Sequence, residues 1–435
     1  MTITVAQVTR RYVGLTALRW LPVGITIPVS VLLALSRGLS LAEVGAVFVV
    51  HSTTVVLLEL PTGGLADAVG RRPVLVVSGL LHVGACAAFA TADSVPGFVL
   101  ATFLLGAGRA LDSGPLQAWY VDAVHQVDPR ADVTPGLSRG GAADCLALSA
   151  GTVLGGALPA VLDGAPERLL VLPYVVAAAL SLLSVTAVLL LVTPTGPPRT
   201  GSASAALAAG LRDVPRTVRD TLRLARRDDA LRRVLLLSLV CGIALGTLEL
   251  LGPTLFADLS GSTTGGSALF GGVMALSFLA GALGSALAPR TRRLARGSTP
   301  YAVAALTLLS GLCLVGVAGT RTVVLAGAAY AGFYLANAAS WPLLHAVLHA
   351  RVGAGGRATA LSASSLALMV GGGTADLVNP QVVALAGRPA AYATAAVVVA
   401  AAALLALRLP AGVHTPPPTA PGGAEAVLPS TGGRV

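Results

Sequence analysis

Six ionisable residues stand where the sequence is otherwise almost wholly apolar: Arg19, Arg109, Asp112, Asp144, Glu249 and Asp376. Arg109 and Asp112 lie three residues apart in "GAGRALDSG", a spacing that puts both on one face of a helix. Arg19 falls about seven residues into an apolar run, and Asp112 and Asp144 lie at similar depth, which at about 1.5 Å per residue is roughly 10 Å from a helix end. A charge near the middle of a bilayer costs at least about 2.5–3.5 kcal/mol, so each needs a partner or a wet cavity. These four residues are therefore expected to form one cluster of two cations and two carboxylates. Two chemistries fit it: a carboxylate for which a proton and a bound molecule compete, or a fixed lattice of ion pairs. Glu249, in "GIALGTLELLGPTLF", has no base near it in sequence. It fits either a neutral acid that carries a proton or an ordinary acid at a wet mouth. Asp376, beside Asn379 and Pro380, has the same two readings, and Glu59 reads as a structural partner for the arginines that follow it.

Other polar and aromatic side chains recur inside apolar stretches. His51 and His82 fall in mid-span, where a lone histidine is either a hydrogen-bonded helix contact or part of a pathway. Tyr330, Tyr334, Asn337 and Trp341 recur at helical spacing, and Trp20 neighbours Arg19. Such a stripe suits either helix packing or the wall of a site for a planar or amphipathic molecule. "HAVLH" puts His345 and His349 one turn apart, but no third ligand accompanies them, so no metal site and no cofactor are expected. Cys86, Cys145, Cys241 and Cys313 lie in apolar stretches without a CxxC pair and read as small packing residues.

The chain that must position these groups is 435 residues long, 55% hydrophobic and only 11% charged, with mean hydropathy +0.82. Soluble domains average about a quarter charged residues, so this is a membrane protein by composition. Windows of about 20 apolar residues, the length that crosses a bilayer, recur twelve times. They fall near 12–36, 41–61, 72–92, 96–119, 138–162, 168–193, 232–255, 264–288, 299–319, 322–346, 357–383 and 388–409. The apolar run after the N-terminus is too long for a signal-peptide core and reads as a retained first span. The expected organisation is a six-helix bundle over 1–193, a cytoplasmic linker over 194–231, a second six-helix bundle over 232–409 and a disordered tail over 410–435. In the linker, Leu211, Val214, Val218, Leu222 and Ala225 make an apolar stripe on an Arg-rich helix suited to an anionic leaflet.

All 29 basic residues are arginine, and the net charge is +10. Their positions argue against nucleic acid as a partner. Arg19 and Arg109 fall inside spans, Arg37, Arg168, Arg321 and Arg388 fall on one side, and all the others fall on the opposite side. By the positive-inside rule the Arg-rich side is cytoplasmic, so both termini are expected there. The halves also echo each other: adding 221 carries Gly63 to Gly284, Arg71 to Arg292 and Arg72 to Arg293.

Between the second and third spans stands "GGLADAVGRR", residues 63–72. It resembles the signature of the major facilitator superfamily in that loop, through Gly63, Leu65, Asp67, Gly70, Arg71 and Arg72; Ala68 stands where the family usually has a basic residue. With the twelve spans and central linker, the resemblance covers the whole chain. It implies an all-α integral membrane protein with twelve transmembrane helices in two pseudo-symmetric six-helix bundles. It also implies that this loop, with Asp122 as acidic partner, latches the bundles on the cytoplasmic side, and that spans one, four, seven and ten line a central cavity. "GAGRALDSG" is similar to the family's mid-helix arginine motif, with Arg109 as the arginine. In span five, Gly151, Gly155 and Gly156 keep part of the glycine frame associated with proton-coupled exporters. Ala142 replaces its leading glycine, with Gly141 one residue early, and Gly-Gly replaces its Gly-Pro pair.

The resemblance implies a monomeric, non-enzymatic transporter in the plasma membrane. It would move a small organic molecule by alternating access, with protons as coupling ion, as an antiporter of the kind linked to efflux and drug resistance. A proton-coupled importer and a transporter-like receptor without flux are the alternatives. No constellation for a membrane enzyme is evident. Impermeant thiol reagents applied to single-cysteine variants should label positions 62–72 only from the cytoplasmic side and count twelve crossings; labelling of that loop from outside would invert the topology.

Overall fold

The computed structural model describes residues 3–62, 65–162, 164–193, 228–351 and 357–410, with isolated positions between 202 and 226. Among the described residues, twelve helical spans are long and apolar enough to cross a membrane. Each expected window falls on one of them, and no strand occurs among the described residues. The apolar stripe Leu211–Ala225 in the linker and the tail after Pro410 lie outside the described residues.

Two spans are broken. Span one consists of Val5–Thr26 and Ser30–Ser36. Span four consists of Val95–Leu111 and Pro115–Val127. The second break has a local cause: Gly114 takes φ +100°, a left-handed conformation open to glycine, and Pro115 supplies the fixed φ that opens the next helix. The window 96–119 ran straight through this turn.

The other spans are continuous: Leu41–Thr62, Arg71–Thr91, Thr134–Ala160, Leu172–Leu191, Asp229–Ser260, Thr263–Leu294, Thr299–Gly319, Val323–Arg351, Arg357–Ala386 and Arg388–Leu407. Side-chain caps start several of them. Asp228 accepts from the Ala230 and Leu231 amides, and Thr4 and Gln7 form a capping box. The echo at an offset of 221 is displaced in space. Gly284, Arg292 and Arg293 lie within the helix Thr263–Leu294, whereas Arg71 opens span three, because span eight runs longer before it turns.

The bundles are built alike. Span one packs on span five where Gly155 meets the Ile25 carbonyl, and span seven on span eleven where Gly242 meets the Leu368 carbonyl. The cores show where the bundles meet. One apolar core joins both at the Arg-poor end, from Ile25, Val44, Phe89 and Tyr174 to Leu251, Phe256, Phe270 and Tyr392. At the Arg-rich end each bundle has its own core, around Tyr12, Trp119 and Tyr120 in one and Val234, Val303 and Leu344 in the other. The molecule is therefore joined at one end and parted at the other.

The joined end is closed at short range, with serine hydroxyls bonded to backbone carbonyls of the facing span. Ser267 Oγ donates to the Gly156 carbonyl at 3.0 Å and Ser149 Oγ to the Ala275 carbonyl at 3.3 Å, both between spans five and eight. A Cβ on Gly156 would collide with the Ser267 carbonyl and crowd Gly271. Gly156→Leu should therefore destabilise this seam by about 1–3 kcal/mol, read as a lower thermal unfolding midpoint. The same change at Gly141, where an added Cβ meets nothing within 4 Å, should not lower it. Equal loss at both positions would remove the seam as the cause.

Candidate functional site

Parting the bundles leaves a cavity of about 520 Å³ between and within them. Spans one, two, three, four and six form its N-terminal wall, and spans seven and eleven its C-terminal wall. Arg19, Trp20, His51, Arg109, Asp112, Glu249 and Asp376 all line it.

The N-terminal wall is organised by the break in span four. Asp112 caps the C-terminal end of Val95–Leu111, its amide donating to the Gly108 and Arg109 carbonyls. A helix C-terminus carries partial negative charge and favours a nearby cation. Arg19 supplies one: its Nε lies 2.7 Å from Asp112 Oδ2, an ion pair whose angle falls short of a directed hydrogen bond. The Arg19 and Arg109 guanidiniums both lie over the Trp20 ring, 5.2 and 5.6 Å from its centroid. Asp144 is in electrostatic reach of both arginines and of Asp112. It is not part of the cavity wall, and its Oδ1 is buried without a hydrogen-bond partner.

The C-terminal wall carries carboxylates alone. Glu249 presents an exposed side chain to the cavity, whereas Asp376 is 7% exposed and senses Glu249. Nearby, Asn379 Nδ2 donates to Thr247 Oγ1 at 3.0 Å and ties span eleven to span seven. Among the described residues no cation comes within ion-pair distance of Glu249 or Asp376. One wall thus holds two guanidiniums with their counter-charge, and the facing wall holds two acids without any.

The sequence profile of the Major Facilitator Superfamily matches residues 13–375. The chain belongs to that superfamily. It is a multi-pass membrane transporter. Among solved structures it is similar in fold to the nucleoside transporter NupG, with TM-score 0.70, 13% identity, and coverage of 92% of this chain and 98% of that one. It is also similar to the peptide transporter POT in complex with sulfate, with TM-score 0.71, 15% identity, and coverage of 92% and 94%. A third is the human organic anion transporter MFSD10, with TM-score 0.60, 19% identity, and coverage of 92% and 99%. No curated protein matches the sequence at a significant level.

In this superfamily member the signature loop contacts its own bundle. Gly70, at φ +97°, precedes span three. Arg71 pairs with Asp122 on the second half of span four and donates to the Ala118 carbonyl at 2.7 Å, and Arg72 donates to the Leu189 carbonyl of span six. Asp122, Ala118 and Leu189 belong to the N-terminal bundle, whereas the expected latch joins the two bundles; among the described residues the core that the two share lies at the other end. Gly63 and the Asp67 side chain lie outside the described residues. Glu59, expected beside these arginines, is instead in electrostatic reach of Arg109.

The aromatic stripe of span ten corrects an expectation. Tyr330, Tyr334, Asn337 and Trp341 do not line the large cavity. Tyr330 is fully buried, with its hydroxyl on the Leu248 carbonyl at 3.1 Å and on Tyr392 Oη at 3.0 Å, and its ring edge-on to Phe256 and Phe270. Tyr334 packs on Phe278 and Phe333, within electrostatic reach of Glu249. Asn337 and Trp341 border a separate gap of about 30 Å³, where Cys241 Sγ donates to Asn337 Oδ1 at 3.1 Å. Helical spacing fixes that these side chains share a face; it does not fix which neighbours the face meets. Sequence reasoning also missed the contribution of spans three and six to the cavity, and the break at Asp112-Ser113-Gly114-Pro115, a turn string that signals itself. Because Tyr330 is held by the core, Tyr330→Phe should lower stability by about 1 kcal/mol and leave substrate KM unchanged. A raised KM with unchanged stability would return Tyr330 to the site.

Proposed function

We propose that the chain is a proton-coupled exporter of small organic or amphipathic molecules, working as a monomer in the plasma membrane with both termini in the cytoplasm. The observation that carries this reading is the cavity with facing walls of unlike charge. Arg19 and Arg109 stand with Asp112 on one side, and Glu249 and Asp376 stand without a cation on the other. Two acids with no fixed counter-ion in a low-dielectric space are the groups for which a proton and a substrate compete. With the Arg-rich side inside, the parted end faces the cytoplasm, so the cavity is loaded from within. Closure at that end and opening of the seam between spans five and eight would present it to the other side. The export direction is taken from the partial glycine frame of span five, which resembles that of proton-coupled exporters; in the fold Gly151 and Gly155 let span five lie on span one, and Gly156 lets it lie on span eight. In this reading the signature loop, through Gly63, Asp67, Gly70, Arg71, Arg72 and Asp122, holds the cytoplasmic end in the opposite state.

A susceptibility panel on a deletion strain supplies a transported compound, and the purified protein in proteoliposomes then reports coupling. With a pH gradient imposed, wild type should accumulate the compound in the export direction. Asp112→Asn and Glu249→Gln should each reduce gradient-driven accumulation at least about tenfold while keeping substrate exchange without a gradient. Accumulation unchanged in both variants would remove these acids from the mechanism, and accumulation in the import direction would reverse the assignment.

A further inference from the structure

The cavity is lopsided. From the space between the bundles it branches into the N-terminal bundle, between spans one, three, four and six. Spans three and six contribute no Asp, Glu or Arg to it, and the branch walls are largely apolar, with Ala85, Cys86, Phe89, Leu105, Val185 and Val188. Two buried polar atoms in these walls nevertheless have no hydrogen-bond partner: His82 Nε2 on span three and Tyr174 Oη on span six. Two polar neighbours, Ser78 and Ser181, are satisfied. Ser78 Oγ donates to the Gly108 carbonyl at 2.8 Å, and Ser181 Oγ to the Ala177 carbonyl at 2.7 Å. The Tyr174 ring is stacked on Phe89 at 4.9 Å, which fixes where its hydroxyl stands. A buried polar group left unpaired costs about 1–3 kcal/mol, and such groups in a native protein call for a reason. Here two of them line one cavity, on different helices.

We propose that this branch is a second substrate subsite, which receives the uncharged, largely apolar part of the transported molecule and hydrogen-bonds neutral polar groups on it through His82 Nε2 and Tyr174 Oη. The proposal rests on reading the cavity as the transport path. Tyrosine donates and accepts, and His82 Nε2 does either according to tautomer, so a hydroxyl, an amide or a ring nitrogen satisfies them. The charged part of the same molecule then stays in the central space, among Arg109, Asp112 and Glu249. A cargo of this kind is amphipathic by construction: ionic at one end, aromatic or alicyclic with a hydrogen-bonding group at the other.

The test uses full-length protein in lipid nanodiscs titrated with benzamide, phenol and toluene, with affinity read from the rise in thermal unfolding midpoint. Benzamide and phenol should bind wild type, and Tyr174→Phe and His82→Leu should each weaken them about tenfold. Toluene, which makes no hydrogen bond, should bind all three proteins equally. Tyr174→Phe removes only an oxygen that has no partner in the fold, so its probe-free midpoint should be no lower than wild type, and it keeps the test open if His82→Leu folds poorly. Benzamide and phenol affinities unchanged in Tyr174→Phe, or no binding of either by wild type, would overturn the subsite. Gradient-driven flux of the same proteins reconstituted in proteoliposomes separates the two readings. The expected binding pattern without flux keeps the subsite and removes proton coupling, whereas flux with unaltered probe affinities removes the subsite alone.

Discussion

Hydrocarbon does not solvate a charge, and this requirement organises the whole molecule. Every ionisable side chain placed deep in a span must find a counter-charge, an aromatic face or water. Arg19 finds Asp112 and Trp20, and Arg109 shares the same ring. To put Asp112 where Arg19 can reach it, span four gives up its continuity, and the loose backbone ends of Val95–Leu111 fall beside the ion pair rather than in lipid. The acids of spans seven and eleven find no such partner and stand against the cavity. A void between bundles is thus what allows the sequence to keep these residues at all.

The void in turn follows from how the bundles meet. Within each half, the inner helices are locked backbone to backbone, so each half is a stiff body. Between halves, the common core among the described residues lies at the end poor in arginine. Two stiff bodies joined along one end can exchange that contact for one at the other end, which is the geometry alternating access requires. Gly156 and Gly271 matter for this reason: small residues allow a close seam without interlocking side chains that would resist opening.

Much of this was legible in the sequence. The twelve spans follow from apolar runs of the right length, and the clustering of Arg19, Arg109 and Asp112 follows from depth and helical spacing. What the sequence concealed has particular physical causes. Averaging hydropathy over a window carried span four straight through Asp112-Ser113-Gly114-Pro115, although those residue types mark a turn. Helical spacing puts the Tyr330–Trp341 stripe on one face, but tertiary packing turns Tyr330 and Tyr334 to Phe256, Phe278 and Tyr392. The branch beside His82 and Tyr174 arises from the fit of four spans, one, three, four and six, and no local pattern announces it.

A chain whose 29 fixed cations are all guanidinium keeps its positive side constant over any pH a cell meets, because arginine does not release its proton there. Lysine in the same places would let burial switch charges off. Here only acids and the six histidines can register a change in proton concentration. Any response to a proton gradient is therefore written in negative charge on the acids and positive charge on the histidines, against an arginine background that stays constant.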